Sequence, residues 1–202
     1  MSFFCLLWVP LFYFLRRIIA GAGASSGSIW ALLLGSVVAI TQFFLGYFVS
    51  PGGFELSRWI FGFVDIVTVP VLVPLLIYLI IFILKGFSGE ADFARFALLW
   101  LIPWGAMRAL TWSALNDPIL LVVVPLLWTA LAVGVSFFIN WMIIKFKWYT
   151  ALISIPCILV LPVLAASAYW AFFSQQILMG FALLIIVYIP VIISFIFERH
   201  KN

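Results

Sequence analysis

Six long apolar runs follow one another along the chain, at residues 29–49, 59–84, 96–115, 118–144, 148–173 and 177–197, separated by short polar breaks. A helix rising about 1.5 Å per residue needs roughly 20 such residues to cross about 30 Å of hydrocarbon, and each run suffices. The runs are continuous rather than alternating with a period of two, which predicts helices and not barrel strands. The expected fold is therefore all-α: a polytopic transmembrane helix bundle of six spans with a short N-terminal interfacial helix, in which residues 1–202 form a single membrane domain and residues 1–28 an arm and linker.

The arm is apolar and aromatic from Phe3 to Leu15, too short to span, and broken by Pro10. A signal peptide carries its positive charge ahead of the apolar stretch, whereas Arg16 and Arg17 follow this one, so the arm is expected to be retained. It is expected in the cytoplasmic interface, or half-inserted against the bundle, with Trp8 and Tyr13 near the headgroups. The GAGASSGS stretch at residues 21–28 reads as a flexible connection.

Composition agrees with the pattern: 68% of residues are hydrophobic and 8% charged, against about a quarter charged in soluble domains. Lys and Arg fall on alternate connections. Arg16 and Arg17, Lys85 and Arg95, Lys145 and Lys147, and Arg199 and Lys201 share one side, against Arg58 alone on the other. By the positive-inside bias this predicts a multi-pass protein of the cell membrane with both termini cytoplasmic. No loop clusters basic and aromatic residues as a nucleic-acid surface would, so nucleic acid is not an expected partner.

Several chemistries lack their residues. His200 is the only histidine and lies near the end of the chain, which removes histidine-based metal, haem and quinone sites from the membrane interior. Cys5 and Cys157 fall on different levels and are not expected to pair. GASSG at residues 23–27 fits G-x-S-x-G, but it sits in a small-residue linker with neither strand nor His base. No phosphate loop or dinucleotide fingerprint occurs. No cofactor, metal or catalytic residue is expected.

Asp65 and Arg108 are the only charges inside the runs. Counted from the non-cytoplasmic ends, each lies roughly 10 Å deep at about 1.5 Å per residue, and Gln42, Thr68 and Thr111 join the same layer. An intramembrane charge is costly and should face the bundle. The candidate site is thus an intramembrane polar or ion-pair layer of Asp65, Arg108, Gln42, Thr68 and Thr111, either fixing register between two spans or holding a ligand, ion or proton. Trp100, Trp104 and Trp112 recur around Arg108 at spacing four, as an aromatic stripe that would shield the guanidinium by cation–π contact. Aromatic packing with an interfacial belt accounts for Trp100 and Trp112 equally well.

Prolines interrupt most spans: Pro70, Pro74, Pro103, Pro125, Pro156, Pro162 and Pro190. Each removes a backbone donor, so neighbours must satisfy the carbonyls left behind. Small residues at spacing four, Gly35 with Ala39, Gly105 with Ala109 and Ala130 with Gly134, would let backbones approach. The sixth run is expected at the periphery and the first three at the centre, where the polar layer requires them.

The stretch 84–103, LKGFSGEADFARFALLWLIP, and the later run from Leu127 and Trp128 through Lys145, Lys147 and Ala151 to Pro156 resemble bacterial members of the Yip family, the Rab-interacting membrane proteins. The likeness covers residues 78–162 and lies in pattern and spacing. The Asp-Leu-Tyr-Gly-Pro motif of eukaryotic members and a long cytosolic N-terminal region are missing, so GTPase binding transfers to no residue. The resemblance implies a non-enzymatic multispan protein acting through partners or lipids. Two functional expectations follow. The first is a non-catalytic subunit or scaffold that associates in the bilayer with lipids, other membrane subunits or itself. The second is a small transporter or channel working at the polar layer, with a membrane-surface lipid enzyme third.

Overall fold

The computed structural model describes the backbone of residues 7–20, 26–48, 60, 63–85, 93–111, 118–145 and 148–199, without the side chains of 19–20, 26–28, 42–48, 65, 82–85, 108–111, 143–145, 195 and 197–199. The described residues are all-helical, in seven α-helices: α1 (Trp8–Ala20), α2 (Ser26–Phe48), α3 (Val73–Lys85), α4 (Phe93–Thr111), α5 (Pro118–Lys145), α6 (Trp148–Phe173) and α7 (Ile177–Arg199), with a π-helical segment, Val64–Leu72, leading into α3. Pro118 opens α5, where its missing N–H is lost to no partner, and Pro10 is tolerated because it lies in the first turn of α1. The second apolar run, expected as one helix, is thus a π segment followed by an α-helix. Pro118–Met142, Trp148–Phe173 and Ile177–Ser194 are long and apolar enough to cross a membrane, and shorter apolar stretches lie at Ile29–Thr41, Ile66–Ile81 and Phe93–Met107.

The antiparallel pair α4 and α5 forms the spine. Its register is set by Ala94 N–H donating to Ser136 Oγ at 3.1 Å and, farther along, by Trp104 against Trp128 with ring centroids 6.5 Å apart. Every residue of 127–136 is buried, and the two hydroxyls among them, Thr129 and Ser136, are hydrogen-bonded. Small residues permit it: Ala130, Ala132 and Gly134 leave room for neighbours, and Leu161 and Pro190 come to within 3.3 and 3.6 Å of where a Cβ on Gly134 would stand. Of the first three spans expected at the centre, only the third is there, paired with the fourth. Intramembrane charge pointed to those spans, but packing volume decides, and the fourth run carries the small residues. α2 lies outside α4 and exposes Ile29, Trp30, Leu33, Val37 and Ile40.

The sixth run is peripheral, as its even apolarity led one to expect. α7 buries Leu184, Val187 and Val191 against α5 and α6 and turns Ile185, Ile189 and Ile192 outward. The turn from α6 ends the helix by a Schellman arrangement: Gln176 N–H reaches Ala171 O and Gln175 N–H reaches Phe172 O, with Gln175 at φ 59°.

Of the two placements expected for the arm, the one against the bundle fits: α1 packs along α4, and Trp8 and Phe12 are buried, with Phe12 3.1 Å from the position of a Gly105 Cβ. Trp8 meets Leu121 and Phe12 meets Trp128, so α1 runs with α5 and against α4, its Trp8 end toward the α4–α5 connection. Amphipathic character put Trp8 at the headgroups, yet the indole finds a better partner inside, described below. Arg16, two turns along α1, is itself buried at 9% exposure.

Two substitutions test this packing. Gly35 sits where a Cβ would meet Trp100 O at 3.1 Å and Pro103 Cγ at 3.2 Å. Because that wall is largely backbone and cannot swing aside, Gly35→Leu should lower stability in detergent unfolding by about 1–3 kcal/mol. Gln175→Gly should raise it by about 1 kcal/mol, since glycine holds positive φ without the Cβ clash.

Candidate functional site

A proline in an α-helix leaves the carbonyl four residues back without its donor, and in a dry core that carbonyl needs another. At Pro125 the orphan is Leu121 O. Trp8 on α1 supplies the donor: its indole Nε1–H reaches Leu121 O at 3.0 Å while the ring packs edge-on to Trp128, centroids 5.4 Å apart. In the next turn of α5 two hydroxyls add to carbonyls whose helical donors are intact, Thr129 Oγ1 donating to Pro125 O at 2.8 Å and Tyr188 Oη donating from α7 to Leu126 O at 3.0 Å. The kink is therefore clasped from α1 on one side and α7 on the other.

The π segment repeats the logic in a different register. Val73 N–H bonds Thr68 O, five residues back. The next donor in that series, residue 74, would serve Val69 O, but residue 74 is proline. Trp100 Nε1–H of α4 takes the place, reaching Val69 O at 3.2 Å. Trp100 is wholly buried, so it is no part of an interfacial belt; the hydrogen bond gives it a structural reason to be inside. Trp104 is buried beside it against Trp128.

Depth can be followed from these contacts. Val69 stands opposite Trp100, and Tyr78 opposite Phe93 and Phe96, so the π segment and α3 run against α4. Four residues back from Val69 and eight on from Trp100 bring the backbones of Asp65 and Arg108 to within about one turn in depth. α2 meets Trp100 and Pro103 at Gly35. Thr68 is half-buried in the π segment. The side chains of Asp65, Arg108, Gln42 and Thr111 and the whole of Trp112 lie outside the described residues, so neither the ion pair nor the cation–π contact is part of this description.

Sequence reasoning flagged the prolines and their orphaned carbonyls but not the donors. The signal was present: Trp8 and Trp100 are hydrogen-bond donors as much as aromatic surfaces. Comparison with protein-family models, with curated proteins and with solved structures gave no match.

The Trp8 clasp predicts a coupling. Trp8→Phe should destabilise the fold, and the loss should shrink by about 1 kcal/mol when Pro125→Ala restores a backbone N–H to Leu121 O. Chemical unfolding of the single and double variants in one detergent measures it; additive losses would show the two residues act apart.

Proposed function

We propose that this chain is a non-catalytic, multi-pass integral membrane protein that acts by association within the bilayer, as a subunit or scaffold of a larger assembly. The observation that carries the reading is the outer face of α6 and α7. Leu152, Ile155, Leu159 and Val163 on α6 and Ile185, Ile189, Ile192 and Ile196 on α7 are all exposed, so these two helices offer a broad apolar surface. Pro156, also exposed, frees the carbonyl of Leu152 on this outer side, where a neighbouring chain's donor would satisfy it much as Trp8 satisfies Leu121. The likeness to the Yip family points the same way and stands on residues 78–162 alone.

We read the apolar segments as spanning the cell membrane, with the ends of α5 and α7 that carry Lys145 and Arg199 in the cytoplasm. The charge pattern by itself favours both termini there. The packing of α1 favours its Trp8 end on the opposite side: Arg16 and Arg17 then mark the inner end of an inserted helix, which satisfies the positive-inside bias equally.

A second reading, a small transporter or channel working at Asp65 and Arg108, is favoured by one feature, the π segment around Asp65, because π turns recur at functional sites. The two readings part in experiment. Ile185→Asn with Ile192→Asn should release a co-purifying chain, or convert a dimer to monomer, in native mass spectrometry while the isolated chain stays folded. A monomer throughout, together with solute flux in liposomes abolished by Asp65→Asn, would replace the first reading with the second. In a Cys5→Ser, Cys157→Ser background, Ser2→Cys should label from the same side as Gly53→Cys; labelling from opposite sides would return the N-terminus to the cytoplasm.

A further inference from the structure

The π segment can be compared bond by bond with the α-helix the same residues would otherwise form. In the observed register Val73 N–H goes to Thr68 O, and the prolines at 70 and 74 deprive Asp65 O and Val69 O of their donors. In an α register each bond shifts by one: Val73 N–H would take Val69 O, and the prolines would deprive Ile66 O and Pro70 O instead. Each register leaves two carbonyls without an intrahelical donor, so the prolines, which would penalise either form, do not choose between them. Trp100 does. Its indole N–H bonds Val69 O, a carbonyl that needs an outside donor only in the π register. In the α register Val73 N–H would satisfy Val69 O by itself, so the indole bond counts for more in the π register, where the helix supplies that carbonyl with no donor.

From this we propose that residues 64–72 form a two-register switch and that Trp100 is its latch. Release of the Trp100 bond lets the segment pass from π to α. The exchange rotates everything on its N-terminal side relative to α3 by about 100° and slides it by about 1.5 Å, one helical residue. Asp65 is carried with it, so the only acidic residue within the apolar runs changes the neighbours it addresses without any movement of the spine. α3 stays in place because Tyr78 is held between Phe93 and Phe96 of α4, at ring distances of 5.5 and 5.7 Å. The proposal needs neither functional reading: a scaffold would use the switch to alter an interface, a carrier to alter access to a site.

Phe63, immediately ahead of the segment and half-buried, is the reporter. With Phe63→4-fluorophenylalanine in full-length protein in lipid nanodiscs, the fluorine spectrum of the otherwise native chain should show one dominant resonance. Trp100→Phe, which keeps a ring and removes the donor, should produce a second or displaced resonance. Trp104→Phe, which thins the same helix one turn away, should leave the native resonance in place. Should Trp100→Phe fail to fold, Trp100→benzothienylalanine keeps the shape of the indole and lacks only its N–H, and it should give the same displaced signal. An unchanged spectrum in the folded latch variant would overturn the proposal, as would an equal displacement in Trp104→Phe, which would reduce the effect to general loosening of the core.

Discussion

A backbone carbonyl buried among apolar side chains needs a donor from elsewhere in the protein, and this constraint organises the bundle. The prolines create such carbonyls in α5 and in the π segment, and the answers come from other helices. Trp8 closes on Leu121 and Trp100 on Val69, while Tyr188 adds a second donor to Leu126 O. Each bond joins elements distant in sequence, so kinks that would weaken isolated helices become the points at which α1, α7 and the π segment are fixed to the α4–α5 spine. Leaving a buried polar group unmade costs more than an average hydrogen bond contributes, and that asymmetry makes these contacts specific where apolar packing is not.

Tryptophan suits the task because it combines a large apolar ring with a single donor. Trp8 and Trp100 bury nearly all of their surface and spend the N–H on one carbonyl each. Serine and threonine play the smaller parts: Ser136 receives a free N–H at the start of α4, and Thr129 turns back on its own helix one turn below. Glycine sets the distances, since Gly35 and Gly105 bring α2 and α1 close enough to α4 for such bonds and ring contacts to form.

The outer helices obey a different rule. α6 and α7 face the spine with Leu161, Ala165, Ala168, Leu184 and Val187 and face outward with residues of the same kind. An outward Ile185 and an inward Leu184 differ in position and not in chemistry, so this face lacks the polar contrast that marks the exterior of a soluble protein.

The apolar runs by themselves determined that the chain is helical and where most helices lie. The boundaries of α6 fall where the run at 148–173 put them, because the run ends at a polar turn that nothing else overrides. Local pattern also marked the prolines as sources of orphaned carbonyls and singled out Asp65 and Arg108. What it could not say is which helix is central, since α5 and α7 read as equally apolar and only the small residues of 130–136, fitted against Leu161 and Pro190, make one of them a spine. Nor could it foresee the burial of Trp8 or the π register. Both depend on a single indole N–H meeting a carbonyl more than thirty residues away, and such a meeting exists only once the helices have packed.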